Sequence, residues 1–241
     1  MPFAPVLHSE WLKIRTLRSL VAGLGAVVLV TAAFSALAGL GNSTDADFDP
    51  SFSAFFGVSF GQIAAIRFGA QAVASEFQSG ALRVSLSAVP HRGRWFVAKT
   101  TAIGAPVLAV GLLTECVSLA VGKAVLGDRA SGMSWSEGLR GIVGCGIYVA
   151  LMALFAAGLA ALLRSGVATL SILIPFLLIV SFVIGDVSGS AAAFLPDKAG
   201  QVALHETWGG VLGPWTGLGV TAVWAAGALL AGAWSVRRRD V

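Results

Sequence analysis

Apolar residues fill this chain in long unbroken stretches, and the few charged residues mark where each stretch stops. A helix needs about 20 mainly apolar residues to cross the hydrocarbon layer of a bilayer, so the intervals between charges predict the crossings. Arg18 and Asp45 bracket an uncharged run and set a first span over about 20–40. Asp49 to Glu76, interrupted only by Arg67, sets a second over 51–75. Lys99 to Lys123, interrupted only by Glu115, sets a third over 100–122. Arg140, Arg164 and Asp186 bracket two further runs, so spans over 141–163 and 166–185 share the turn Arg164-Ser165-Gly166 as a tight helical hairpin. Glu206 to Arg237 closes the series with a span over 208–235, where Pro214 predicts a kink or an outer half-turn.

The expected class is an all-α integral membrane protein of six transmembrane helices, with residues 1–241 forming one domain. A transmembrane barrel would show short segments of alternating polarity, which these runs lack. Unbroken apolar segments satisfy their backbone in a bilayer only as helices. The 30 glycines fit close helix packing. Gly57-x-x-x-Gly61 and the series Gly209, Gly213, Gly217 have the small-residue spacing that lets backbones approach. The first apolar run is full-length and lacks a convincing cleavage site, so a removed signal peptide is not expected.

Composition removes the soluble alternative. The chain is 56% hydrophobic and 12% charged, against roughly 25% charged residues in a soluble domain. Lysine and arginine number 16 against 12 acidic residues. In a soluble protein that excess would raise nucleic acid as a partner, but here the basic residues cluster at the ends of apolar runs and no nucleic-acid partner is expected. Their distribution sets an orientation, because basic loops stay on the cytoplasmic side. Lys13, Arg15, Arg18, Arg83, Arg92, Arg94, Lys99, Arg164 and Arg237 to Arg239 fall on one side, and Lys123, Arg129, Arg140 and Lys198 on the other. The acidic loop of Asp45, Asp47 and Asp49 joins the poorer side. Both ends are thus expected in the cytoplasm and the chain in the cytoplasmic membrane. Cys116 and Cys145 both lie in apolar runs, which predicts neither a disulfide framework nor a metal site.

Few motifs carry chemistry. Gly57-Val58-Ser59-Phe60-Gly61 has the nucleophile-elbow pattern, but that pattern has meaning on a strand-turn-helix and here falls in a membrane helix. His8, His91 and His205 lie in loops or tails, away from any intramembrane serine. No phosphate-cradling G-x-x-x-x-G-K-[ST] stretch exists, so the chain is expected to bind no ATP itself and to be no enzyme. Arg67 and Glu115 are the two intramembrane charges. Such residues mark a pathway or a protein-facing partner, or else reach towards the headgroups. At the helical rise Arg67 lies about 13 Å from the level of Glu76 and Glu115 about 24 Å from that of Lys99, which argues against their pairing.

The stretch between the second and third spans is the most informative. Leu82, Leu86 and Val89 recur at helical spacing before Pro90 and Gly93, which predicts a short interfacial helix. Glu76, Phe77, Gly80, Leu82, Arg83, Leu86, Pro90, Arg92 and Lys99 follow in an order that resembles the loop after the second crossing in membrane subunits of ATP-binding-cassette (ABC) transporters of the type-2 permease class. The resemblance extends to Glu10-Trp11-Leu12-Lys13 with Arg15 and Arg18, to Leu195-Pro196 with Ala199-Gly200, and to the final Arg238-Arg239-Asp240-Val241.

That resemblance implies a permease subunit of an exporter, driven by a separate ATPase chain that holds the ATP and paired with a second copy or a homologous half. Residues 76–99 would be the ATPase-coupling loop, with Leu82 and Leu86 as an apolar ridge in a groove of the ATPase and Arg83 and Arg92 at its rim. Residues 1–18 would form a cytoplasmic interfacial segment whose apolar stripe is Phe3, Leu7, Trp11 and Ile14. The competing classes are a non-transporting anchor or regulatory subunit, a secondary transporter and an intramembrane protease. A secondary transporter is expected to show internal repeats and broken helices, of which only Pro175 and Pro214 give any hint.

Overall fold

The computed structural model describes residues 3–41, 49–89, 91–127, 133–180, 189–206 and 210–238. Among these there is no strand, and five helices are long and apolar enough to cross a membrane. Asp45, Asp47, Pro90, Arg129, Asp186, Gly209 and the final Arg239-Asp240-Val241, all used in the sequence argument, lie outside the described residues.

Helix α1 (Phe3–Thr16) stops at Leu17, whose extended backbone redirects the chain into α2 (Arg18–Leu40). Asp49 then starts α3 (Pro50–Phe55): its carboxylate accepts from the Phe52 N–H at 2.9 Å and Pro50 supplies a preset first turn. A break at Phe56-Gly57 separates α3 from α4 (Val58–Gln78). Gly80, at φ 71°, turns the chain in the left-handed region into the short α5 (Ala81–Ala88). Helix α6 (Arg92–Leu126) follows.

At 35 residues, α6 is about 52 Å long, well beyond a hydrocarbon layer of about 30 Å. It starts eight residues earlier than the 100–122 span expected, and its first two turns bury Trp95, Phe96 and Lys99 within the bundle. Helix α7 (Trp135–Leu163) opens on a capping box, with Ser134 and Glu137 each satisfying the other's backbone N–H. It ends at Arg164, and Ser165 caps α8 (Gly166–Pro175) through the Ala168 N–H, so a two-residue turn joins the two helices at Arg164-Ser165.

Beyond Pro175 the chain widens into a π-helical segment, Phe176–Val180. The missing proline N–H accounts for such a local change of winding. After a two-turn 3-10 segment, Gly189–Phe194, and a single-turn one, Val202–Leu204, which flank α9 (Pro196–Gln201), the last helix α10 (Pro214–Arg238) begins. Pro214 therefore starts a helix instead of kinking one. Without its N–H it loses nothing at a first turn.

The bundle is arranged around α7, which packs against α4, α6 and α10. Of its most apolar stretch 67% is buried, against 28% for α2, which closes one side over α4 and α6. The Gly57-x-x-x-Gly61 pair is a real contact face. A Cβ at Gly57 would collide with the Thr31 carbonyl and one at Gly61 with the Thr31 hydroxyl, so α2 and α4 meet at backbone distance there. Large apolar side chains such as Leu29, Leu113, Val223 and Leu230 cover the outside. An apolar exterior of this extent fits hydrocarbon as the surrounding solvent.

Candidate functional site

Two polar clusters occupy opposite ends of the bundle. The first gathers side chains from four helices. The Lys99 ammonium on α6 donates to Glu10 on α1 at 2.9 Å and to Glu76 at the end of α4 at 2.7 Å. Lys13 donates to the same two carboxylates, at 2.8 Å and 3.0 Å, and to the Ser85 hydroxyl of α5 at 2.9 Å. The Trp95 indole N–H donates to Glu10 at 3.1 Å. Glu10 and Lys99 are each 1% exposed. Two carboxylates and two ammonium groups cancel, which is the condition for charges to remain buried.

Lys13 is the more open member. Burial alone lowers its pKa, but the hydrogen bond and charge of Glu10, joined by those of Glu76, outweigh that and hold Lys13 above its ordinary 10.5. The cluster therefore locks α1, α5 and the adjoining ends of α4 and α6 into one unit.

Several expected residues take a different role from the one the pattern gave them. On α1 the buried line is Val6, Glu10 and Ile14, at four-residue spacing, while Phe3 and Trp11 of the expected apolar stripe are exposed and Leu7 is half-buried. Glu10 does not interrupt the inner face; with Lys99 opposite, it is the centre of that face. On α5, Leu82 is 0% exposed and Leu86 half-buried, so the apolar ridge points into the protein's own bundle and not outward to a partner groove. The outer face of α5 is Arg83, Val84, Ser87 and Ala88, with Val84 72% exposed.

Of the other loop residues, Phe77 lies under the Arg164 guanidinium at 5.6 Å. Arg92 donates to the Val236 carbonyl at 3.0 Å and so caps the end of α10. Pro90 is outside the described residues.

Arg67 is exposed on α4, whereas Glu115 is fully buried on α6 with neither carboxylate oxygen bonded among the described residues. The structure does not bring the two into an ion pair. Of the expected site, Glu76 and Lys99 join the ionic cluster directly among the described residues.

At the opposite end, Asp49 accepts from His205 at 3.1 Å and from the Glu206 N–H at 3.1 Å, and Arg140 of α7 donates to the carbonyls of both His205 and Glu206. The Phe52 ring stacks on His205 at 4.6 Å. Burial pushes the Asp49 pKa up, but the His205 bond and the backbone N–H groups of Phe52 and Glu206 prevail and hold it below 3.8. Between the ends, α9 folds back against α7 and α10. The Tyr148 hydroxyl donates to Gln62 on α4 and is approached by Gln201, and Thr221 of α10 donates to the Pro196 carbonyl at 2.8 Å. Gly200 leaves the room that the Tyr148 ring fills.

Gly166 packs on Ala74 near the ionic cluster, and His205 lies beside Asp49 in the second cluster. The chain matches no protein-family model and no curated protein.

Proposed function

We propose that this chain is the membrane-spanning subunit of an ABC exporter, crossing the cytoplasmic membrane six times and driven by a separate ATPase subunit. The observation that carries this reading is the way α5 is held. Leu82 and the Lys13–Ser85 bond pin it to the ionic cluster, while Arg83, Val84 and Ser87 remain outward at the end of the bundle. A helix so placed transmits load. A push on its outer face reaches Lys13 through Ser85, and from Lys13 and Lys99 passes to the ends of α4 and α6 together. The ATPase would supply that push on closing around ATP, with this chain binding none.

Orientation rests on the basic residues. The end that carries α1, α5 and Arg237 is the cytoplasmic one by the rule that basic loops stay inside. The sixth crossing would be the expected span over 166–185, of which residues 181–185 lie outside the described residues. A second copy or a homologous half would complete a pathway, and Arg67, charged and exposed about 13 Å above the level of Glu76, is the residue we assign to it.

Purification in mild detergent tests the reading. The chain should bring an ATPase chain with it, and Arg83→Glu with Val84→Asp should abolish that recovery and coupled transport while the melting temperature of the membrane subunit stays unchanged. Recovery of a homogeneous chain with no ATPase partner, and transport unaffected by the double substitution, would leave a non-transporting anchor as the better description.

A further inference from the structure

Glu115 belongs to neither polar cluster. It is 0% exposed, and neither of its carboxylate oxygens has a hydrogen-bond partner among the described residues. Along α6, Lys99 is about 24 Å away on one side and Lys123 about 12 Å away on the other. Around Glu115, α6 and α7 are tightly apposed. A Cβ at Gly111 would stand 3.3 Å from the Gly146 carbonyl, and one at Gly138 would stand 3.0 Å from the Leu119 side chain, so Glu115 falls between two close contacts of the helix pair.

At that level α7 presents Ile142 and Cys145, both buried, and the Cys145 thiol lies within range of the Glu115 charge. Arg140, further along α7, donates to the carbonyls of His205 and Glu206. Helix α2 has no charged side chain beyond Arg18 at its start, and α3 has none. On α4, Arg67 is exposed and Glu76 is held in the ionic cluster; on α10, Arg237 and Arg238 stand in the last turn. Helices α1 and α5 lie with the ionic cluster at the start of α6. On α6 itself Cys116 is exposed, while Ser118, one turn on from Glu115, is buried with its hydroxyl also unbonded among the described residues.

An ionised carboxylate is not kept unpartnered in such an interior, because its desolvation is too costly; it is neutralised instead. A metal ion is a poor candidate, since it takes six or so oxygen ligands. Here α6 runs on past Glu115 with its carbonyls engaged in the helix, and the described residues hold no group of three His, Cys, Asp or Glu side chains suited to a metal. A proton needs one oxygen and no extra room.

We propose that Glu115 is a proton-binding site, held as the neutral acid in the folded chain. Release of the proton to water leaves a bare carboxylate between α6 and α7, so the site ties the apposition of these two helices to protonation. It is independent of whether the chain works with an ATPase.

Infrared spectroscopy of the full-length chain reconstituted in lipid reads the site directly. At neutral pH the parent chain should show the carbonyl stretch of a protonated carboxyl group, shifted by exchange into heavy water. Glu115→Gln should abolish that band. Asp197→Asn, which alters a buried carboxyl outside the ionic cluster, should leave it. Unfolding in mixed micelles gives a second readout. Folding takes up a proton that the unfolded chain does not hold above the ordinary glutamate range, so stability is lost as pH rises until the proton leaves the folded chain. Relative to Glu115→Gln, whose amide copies the neutral acid, the folding equilibrium of the parent should fall roughly tenfold per pH unit between about pH 5 and about pH 7. Sodium chloride in place of choline chloride at equal strength should change neither readout.

Absence of the carboxyl band from the parent chain, or its persistence in Glu115→Gln, would overturn the proposal. So would a stability difference between the two that does not vary with pH, or failure of Glu115→Gln to fold. Stabilisation by sodium that disappears in Glu115→Gln would overturn it in favour of a metal ion.

Discussion

Lys99→Met removes the one ammonium group in the ionic cluster that has almost no access to solvent, and it does so at nearly constant side-chain length. In the folded chain Lys99 holds Glu10 at 2.9 Å and Glu76 at 2.7 Å, with the side chain 2% exposed. Lys13 remains, but its side chain is 31% exposed and it must now serve both carboxylates. The buried cluster goes from neutral to one net negative charge. Breaking a buried pair in this way costs about 3–5 kcal/mol, because the partner left behind keeps its desolvation penalty and loses its compensation. Adding Glu10→Gln restores neutrality and leaves the Lys13–Glu76 pair intact. The double variant should therefore recover about 1–3 kcal/mol relative to Lys99→Met alone.

The assay is unfolding in mixed micelles with increasing denaturing detergent, followed by tryptophan fluorescence. Arg15→Met, exposed on α1, provides the baseline and should stay within about 0.5 kcal/mol of the parent chain. Two results would refute the reasoning: Lys99→Met unfolding within 1 kcal/mol of the parent chain, or a double variant whose loss is the plain sum of the single losses. Either would mean that the four charges do not act as one buried unit.

Gly57→Ala should destabilise the bundle by about 1–3 kcal/mol through forced separation of α2 from α4, while Gly25→Ala, which meets no atom within 4 Å, should be neutral or mildly stabilising in the same unfolding assay. Leu82→Ala should lower stability by about 2–5 kcal/mol, because the side chain is in the core; a stable variant that only loses a partner would restore an outward role for Leu82. If the chain is the proposed exporter subunit, Arg67→Met should reduce transport in reconstituted vesicles and leave the unfolding midpoint unchanged, as expected of an exposed side chain on α4. The Asp49 carboxyl has its pKa lowered by folding, so it contributes stability above its ordinary 3.8 that disappears as pH falls through the lower folded value; the stability difference between the parent chain and Asp49→Asn should be present at pH 5 and vanish at strongly acid pH.

The long helices were legible because charges bracket them: α2, α4, α6, α7 and α10 each overlay an uncharged or nearly uncharged run. Helix ends were less legible, for identifiable reasons. The first turns of α6 contain Arg92, Arg94 and Lys99, which read as a loop by hydropathy, yet Trp95 and Lys99 are buried against α1 and the helix simply continues through them. Glu10 read as an interruption of an apolar stripe because its partner Lys99 is 89 residues away, and no local period reports a partner at that distance. The direction of Leu82 was hidden in the same way. A ridge at helical spacing says that α5 has an apolar face, but whether that face meets this chain or another one depends on the geometry at Gly80. Gln62, Tyr148 and Gln201, which fasten α9 into the bundle, gave no signal at all. Each is a lone polar residue in an apolar setting, and only the fold brings them together.

The placement of the two terminal clusters bears on how such a bundle would move. The ionic cluster joins α1, α4, α5 and α6 at one end, and the Asp49–His205–Arg140 cluster joins α3, α7 and the segment before α10 at the other. Neither cluster contains a residue of α2 or α8. Between the clusters, α4, α6 and α7 meet along small residues and share one tightly packed core, and close-packed interiors transmit displacement with little compression. A load applied to α5 would therefore tilt α4, α6 and α7 as a block, and the freedom to absorb the tilt lies in the elements that neither cluster fastens. Helix α8 is the weakest of these, since Pro175 removes a hydrogen bond at its last residue and the π-helical turn after it already departs from regular winding. Pro175→Ala should straighten that segment. In the proposed exporter it should slow transport while raising the unfolding midpoint, measured in the same reconstituted preparation. Faster transport, or a lower midpoint, would mean that α8 carries load and that the moving element must be sought in α2.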